Sequence, residues 1–134
     1  MRDFTIMGQP VAKGRPRITK WGAYTPEKTV NYENLVKYSY IDKYKDSEVL
    51  ESALSIEIKF YFQIPKSTSK KNRELMLIGE LLPTKKPDID NCIKIITDAL
   101  NTIAYKDDNQ IVVVHAYKYY TDEPRAKVTI KELF

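Results

Sequence analysis

The sequence predicts a single mixed α/β (α+β) domain built on one mixed sheet with helices. Its 134 residues are the length of one ordinary domain, and 43% of them are hydrophobic, which is enough for one core. Segments with strand periodicity also alternate with segments of helical periodicity along the chain. The predicted order is β-α-β-(α)-α-β-β, where the parentheses mark a short helix, and the domain spans residues 1–134.

The N-terminal part predicts a strand, a loop and a helix. Phe4 and Ile6 alternate with polar neighbours before a Gly-Gln-Pro turn, and residues 11–24 are rich in glycine, proline and basic side chains. The helix is expected to begin with Thr25 as N-cap and Pro26 at its first position. Its apolar stripe is predicted to consist of Val30, Leu35, Tyr38 and Ile41.

The middle of the chain predicts a half-buried strand and a short helix. Residues 54–62 alternate between aliphatic or phenylalanine side chains on one face and mostly polar ones on the other. Pro65 closes this strand. Ser67 or Ser69 can cap the short helix, and Gly79 ends it.

A strongly amphipathic helix is predicted after Pro87. Its apolar positions recur at helical spacing and are Ile89, Ile93, Ile96, Leu100 and Ile103. The opposite face carries Asp90, Lys94, Thr97, Asp98 and Asn101. Two strands should follow, residues 111–120, buried on both faces at the start, and an alternating strand around Val128.

Charge is unevenly distributed along the chain. Residues 1–40 and residues 66–86 each carry a net charge of +4, whereas residues 88–108 carry −3, within a total of +4. Clustered aspartates between basic segments are what a metal-dependent enzyme acting on nucleic acid needs.

The sequence predicts a soluble, cytoplasmic protein without a membrane partner. No apolar run approaches the roughly 20 residues of a membrane span, and the N-terminus has no secretory pattern. The one cysteine, Cys92, cannot form an internal disulfide, which fits a reducing compartment.

Two aspartate pairs are candidates for a metal site. Asp88 and Asp90 lie at the start of the amphipathic helix, and Asp107 and Asp108 lie just after its end. Close carboxylates repel unless a cation, a shared proton or water compensates, and Mg²⁺ prefers such hard oxygen ligands. The alternative is structural, with Asp88 or Asp90 capping the helix and the second pair forming a solvated turn.

Lys94 also has two interpretations. It lies four residues from both Asp90 and Asp98, so the three can form ion pairs that stabilise an exposed helix. Beside metal-bound carboxylates, the same lysine could bind the scissile phosphate or stabilise charge that develops during hydrolysis. The spacing of these residues in the sequence does not distinguish the structural role from the catalytic one.

The motifs resemble those of the RusA-type Holliday-junction resolvases, small endonucleases often found in phages and prophages. The matching segments are Pro10-Val11-Ala12-Lys13-Gly14-Arg15-Pro16-Arg17, Ile64-Pro65-Lys66-Ser67, Lys86-Pro87-Asp88-Ile89-Asp90-Asn91, Asp98-Ala99-Leu100-Asn101 and Tyr105-Lys106-Asp107-Asp108-Asn109-Gln110-Ile111. They occur in the family's order over most of the chain.

The resemblance implies a Mg²⁺-dependent, homodimeric enzyme that makes paired symmetric nicks in four-way junction DNA during recombination and repair. By the same resemblance, Asp88, Asp90 and Asp108 are the metal ligands and catalytic residues, and Lys94 is a further catalytic residue. Asp107 is then of lesser importance, and Asp98 supports Lys94. A nuclease for other branched DNA and a DNA-binding protein without turnover remain alternatives.

Two basic segments are candidates for DNA contact. Lys13, Arg15 and Arg17 lie in a loop that can approach a phosphate backbone closely. The second segment consists of Lys66, Lys70, Lys71 and Arg73. Each could instead be a solvated surface. Trp21, beside Lys20, is the best candidate for stacking on a base.

Overall fold

The computed structural model describes residues 1–134 and confirms the mixed α/β class with a single main sheet. The elements are β1 (Arg2–Met7), β2 (Arg17–Thr19), β3 (Gly22–Tyr24), α1 (Glu27–Tyr44), β4 (Leu54–Gln63), α2 (Lys70–Leu77), α3 (Ile89–Ala99), β5 (Ile111–Thr121) and β6 (Arg125–Glu132). A one-turn 3-10 helix, Asp108–Gln110, precedes β5. None of the helices has the apolar length that a membrane span requires.

The main sheet has the order β1-β6-β4-β5. Strand β4 pairs with β5 in parallel and with β6 antiparallel, and β6 pairs antiparallel with β1. The predicted alternation in β4 is confirmed, because its even-numbered residues from Leu54 to Phe62 are buried. These side chains form the core together with one face of α1 and of α3. The connection from β4 to β5 contains α2 and α3, and α3 packs its buried face into this core.

The prediction that residues 11–24 form a loop is wrong in part. Strands β2 and β3 pair as a small separate hairpin. Its turn is held by Thr19, whose hydroxyl donates to the carbonyl of Gly22 and accepts from the backbone N–H of Trp21. Gly22 has a φ of 118°, which a residue with a side chain rarely adopts.

Helix α1 also differs from its prediction. Pro26 is the N-cap residue and has extended backbone, so the helix begins at Glu27. The four residues of the predicted stripe are at least 38% exposed. The buried face is formed instead by Thr29, Tyr32, Val36 and Tyr40. Tyrosine side chains provide the buried apolar surface here, and Thr29 accepts a hydrogen bond from the backbone of Gly14.

Two further predictions need correction. The start of β5 is not buried, because β5 is an edge strand and Val112, Val113 and Val114 are 63%, 37% and 44% exposed. In α3 the apolar face is rotated toward Cys92 and Ile95, and Ile89 is 37% exposed. The short helix agrees with its prediction: Ser69 caps α2 by accepting from the backbone N–H of Asn72.

Candidate active site

The first aspartate pair lies exposed at the start of α3. Asp88 is the N-cap residue, but its side chain makes no capping hydrogen bond. Asp90 accepts a hydrogen bond only from the neighbouring backbone N–H of Asn91, at 2.9 Å. Neither carboxylate has a cationic partner within 4.0 Å. The alternative in which the Asp88 carboxylate caps the helix is therefore not realised, and both groups are free to bind a cation.

Lys118 holds the segment that leads into this pair. Its side chain extends from β5, and Nζ donates to the carbonyl oxygens of Pro87 at 2.8 Å and Lys85 at 2.9 Å. A charged donor makes stronger hydrogen bonds than a neutral one. Lys118 therefore fixes the backbone immediately before Asp88.

The second aspartate pair is divided between two tasks. Asp107 and Gln110 form a capping box around the 3-10 turn, each side chain bonded to the other's backbone N–H. The Gln110 side-chain nitrogen also donates to the carbonyls of Leu50 and Ser52, each at 3.0 Å. Asp107 thus orders the turn, whereas the half-buried side chain of Asp108 takes no part in the capping box.

Asp98 is the centre of a charged network at the other end of α3. Its Oδ2 lies 3.3 Å from Nζ of Lys13 and 3.6 Å from Nζ of Lys94. Lys13 also contacts Glu33 of α1 at 3.2 Å. Of the two ion pairs considered for Lys94, only that with Asp98 forms. Lys94 itself remains 61% exposed, so its charge is accessible to a bound phosphate.

The Asp108 carboxyl lies close to that of Asp98. Burial, followed by the neighbouring charges of Asp107 and Asp98, raises the pKa of Asp108 above its ordinary value, whereas Lys94 lowers it. Two carboxyl groups in contact need a proton or a cation between them. The Asp98–Asp108 pair is therefore a second place where a cation would relieve repulsion.

Tyr105 positions the turn that carries Asp108. Its side chain is fully buried, and its hydroxyl donates to the carbonyl of Thr97 in α3 at 2.6 Å. Burial, with a contribution from Asp108, raises the pKa of this phenol. The hydroxyl therefore stays protonated and links the end of α3 to the residues before Asp108.

The predicted site residues fall at both ends of α3. Asp88 and Asp90 lie at its start, and Lys94 and Asp108 contact Asp98 toward its end. No three acidic, histidine or cysteine side chains of the chain are arranged as a metal site. Mg²⁺ is commonly held by one or two carboxylates, with water and substrate phosphate oxygens completing its coordination. The donor chemistry of the aspartates fits that mode of binding.

The predicted DNA-binding residues differ in their surroundings. The Lys13 side chain is largely buried between two carboxylates, whereas Arg15 and Arg17 are exposed and have no ion pair. Lys66, Lys70 and Lys71 are exposed and also unpaired. Arg73 forms an ion pair with Asp122 in the turn between β5 and β6. The unpaired side chains have the most charge available for phosphate.

Sequence reasoning missed the roles of Lys118 and Tyr105. It gave Asp98 a supporting role beside Lys94, but it missed the proximity of Asp98 to Lys13 and Asp108. Lys118 lies in a strand far from the motifs, and nothing local marks it as a partner of Pro87. Tyr105 does lie within a matching segment, so its position beside the aspartates was the available signal. Cys92, the one cysteine, is fully buried, and burial raises the pKa of its thiol to about 11.

Comparison with known proteins assigns the chain to a family. It is 38% identical over 136 residues to the uncharacterized protein YqaN of Bacillus subtilis strain 168, and the alignment covers 97% of this chain and 95% of that protein. Residues 7–131 match the family described as Endodeoxyribonuclease RusA, and this range includes both aspartate pairs, Lys94 and the basic segments. The chain therefore belongs to the RusA endodeoxyribonuclease family.

Proposed function

We propose that this protein is a magnesium-dependent endodeoxyribonuclease that resolves Holliday junctions by paired symmetric nicks in DNA recombination and repair. The observation that carries this proposal is that several aspartate carboxylates and an accessible lysine lie on or next to α3. Asp88 and Asp90 lack cationic partners, and Asp108 contacts Asp98 beside the exposed Lys94. Family membership supports the same chemistry on DNA.

Each charged residue has a proposed role. Asp88 and Asp90 at the start of α3, and Asp108 near its other end, would each supply a carboxylate ligand to Mg²⁺, with water and phosphate oxygens completing the coordination. The metal would activate water and offset charge on the phosphate undergoing hydrolysis. Lys94 binds the scissile phosphate and stabilises the charge that grows on it. Asp98 orients Lys94 through their ion pair, and Lys118 orients Asp88 through the backbone.

The DNA backbone is proposed to lie across the surrounding basic surface. Arg15 and Arg17 contribute phosphate contacts near the start of α3, and Lys66, Lys70 and Lys71 contribute them near α2. Lys13 belongs to the same basic segment as Arg15 and Arg17. Because it pairs with Glu33 and Asp98, its proposed main role is to attach this segment to α1 and α3.

A homodimer is proposed because two symmetric nicks require two sites, whereas one chain carries one set of aspartates. Strand β5 supports this assembly, since one of its edges has no neighbouring strand and its three consecutive valines, Val112 to Val114, are exposed. Long apolar edge strands are usually covered in soluble proteins. Light scattering should give twice the chain mass for the parent and a monomer for Val112→Glu, with Val30→Glu on α1 as the control.

The function is tested with purified protein and a synthetic four-way junction, with and without Mg²⁺. The expected result is paired nicks that appear only with the metal. Forks, flaps and linear duplex with the same arm sequences form the comparison set. Faster cleavage of a fork or flap would favour the alternative branched-DNA nuclease, and junction binding without any cleavage would favour a DNA-binding protein.

A further inference from the structure

The β2–β3 hairpin presents two large apolar side chains to solvent. Ile18 is 86% exposed and Trp21, in the turn, is 87% exposed. The hairpin pairs only with itself and is not part of the main sheet. Exposed apolar side chains on a small ribbon serve no packing role within the chain, so they indicate a contact with another molecule.

The positive charge around these side chains indicates which class of molecule they contact. From residue 12 to residue 26 the chain has four basic side chains and no acidic one. Lys20 places its Nζ 5.1 Å from the centroid of the Trp21 ring, which leaves the opposite ring face open. An aromatic face flanked by unpaired cations fits a nucleic-acid base attached to its phosphate backbone.

The base of the hairpin is anchored beside the aspartates. The backbone N–H of Lys13 donates to the carbonyl of Asn91 at 2.9 Å, and that of Gly14 donates to the hydroxyl of Thr29 at 3.0 Å. A Cβ atom at Gly14 would lie 2.7 Å from that hydroxyl oxygen, so this close approach requires glycine. Trp21 lies seven positions after Gly14 along the chain, a reach of at most about 25 Å.

We propose that the hairpin inserts Trp21 against an unstacked base at the branch point of bound DNA, with Ile18 wedged beside it. This rests on the DNA binding contained in the proposed function, but not on cleavage. The branch point is the favoured place because its bases have lost a stacking neighbour, so little further unstacking energy is required. The hairpin would thereby fix the distance between branch point and aspartates, and so the position of the nick.

The test uses Trp21 as its own probe, since it is the chain's one tryptophan. Fluorescence is measured in a metal-free buffer with chelator, so that no DNA is cut. A four-way junction should quench Trp21 emission and protect it from acrylamide, and a linear duplex with the same arm sequence should do so much less. The emission of 2-aminopurine placed at the branch point should be quenched on binding the parent, because Trp21 stacks on it, but not on binding Trp21→Ala.

Binding of the variants completes the test. Trp21→Ala should weaken junction affinity about tenfold, and Trp21→Phe should retain most of it, because stacking of one base on an aromatic ring is a substantial, sequence-tolerant contribution. Phe134→Ala, which removes an exposed aromatic ring at the C-terminus, should bind like the parent.

Unchanged Trp21 emission at saturating junction, or affinity of Trp21→Ala within about twofold of the parent, would overturn the proposal. A parent that binds junctions and gives these signals, yet never nicks with Mg²⁺, would refute the nuclease function while supporting the hairpin. Normal nicking without any Trp21 signal would support the nuclease function and refute the proposed role of the hairpin.

Discussion

Nζ of Lys13 lies 3.3 Å from Oδ2 of Asp98, and this contact joins the basic N-terminal segment to the helix of the candidate active site. Both side chains are about four-fifths buried, so the pair is screened less than a surface ion pair. Asp98 in turn contacts Lys94 and Asp108. DNA bound by Arg15 and Arg17 would therefore approach the same network that holds Lys94, the proposed catalytic lysine.

The three proposed metal ligands should be required for cleavage but not for binding. Asp88→Asn, Asp90→Asn and Asp108→Asn should each abolish Mg²⁺-dependent nicking, because each removes a hard, charged ligand. Junction affinity should persist or increase, because a negative charge near phosphate is lost. Asp46→Asn, an exposed aspartate without an ion pair, is the control. Near-parental turnover in any ligand variant would refute the metal role of that residue.

Lys94→Ala separates a catalytic lysine from a helix-stabilising one. An exposed helical ion pair contributes only about 0.3 to 0.5 kcal/mol, so a structural role predicts little change. A cation at the scissile phosphate predicts at least about a 100-fold lower single-turnover rate at saturating Mg²⁺. We expect the large effect, with affinity retained and only partial recovery in Lys94→Arg. Cleavage within about threefold of the parent, at an unchanged melting temperature, would remove Lys94 from the catalytic residues.

Lys118→Met should lower the cleavage rate without weakening junction binding. Methionine keeps the apolar part of the side chain but cannot donate to the carbonyls of Pro87 and Lys85. Asp88 would lose its fixed backbone, and a misplacement of about 1 Å can cost on the order of 100-fold in rate. Single-turnover rates and affinity are measured together, with Lys127→Met of β6 as control. A parallel fall in affinity and rate would indicate lost DNA contact instead of lost positioning.

Asp108→Asn should stabilise the metal-free protein at neutral pH. The pKa of Asp108 is raised above 3.8 in the folded chain, so the folded state binds more protons than the unfolded state just above that value. Stability from this group is therefore present at lower pH and lost as the pH rises through the folded pKa. The variant should melt above the parent at about pH 7, and the difference should shrink toward about pH 4. A lower melting temperature for the variant at neutral pH would contradict this assignment.

Tyr32→Phe should increase stability. The Tyr32 hydroxyl is buried without a hydrogen-bond partner, and burial raises the pKa of the phenol. Removing an unsatisfied polar group recovers about 1 kcal/mol of desolvation free energy. Tyr40→Phe is the matched control on the same helix face, because its hydroxyl accepts a 2.6 Å hydrogen bond from Arg2 and its loss should destabilise. The free energies of unfolding of both variants are measured by denaturant titration. Equal losses of stability would show that the Tyr32 hydroxyl has a hydrogen-bond partner.

The sequence by itself determined the features that depend on local pattern. Alternation from Leu54 to Phe62 specified β4 and its buried face, because side chains in a strand point to opposite faces in turn. A serine cap before α2, at Ser67 or Ser69, and the start of a helix after Pro87 also follow from neighbouring residues. The spaced aspartates and basic segments were sufficient to identify the family.

Only the tertiary structure decided which apolar residues were buried and which charges met. Val112 to Val114 are exposed because β5 lies at the edge, and strand order arises from pairing between distant segments. In α1, tyrosines and a threonine compete with aliphatic residues for the core, so the packing of β1 and α3 selects the buried face. Likewise, Lys13 meets Asp98, and Lys118 meets Pro87, across long stretches of sequence. Such contacts form only when the chain closes around its core, and no local pattern encodes them.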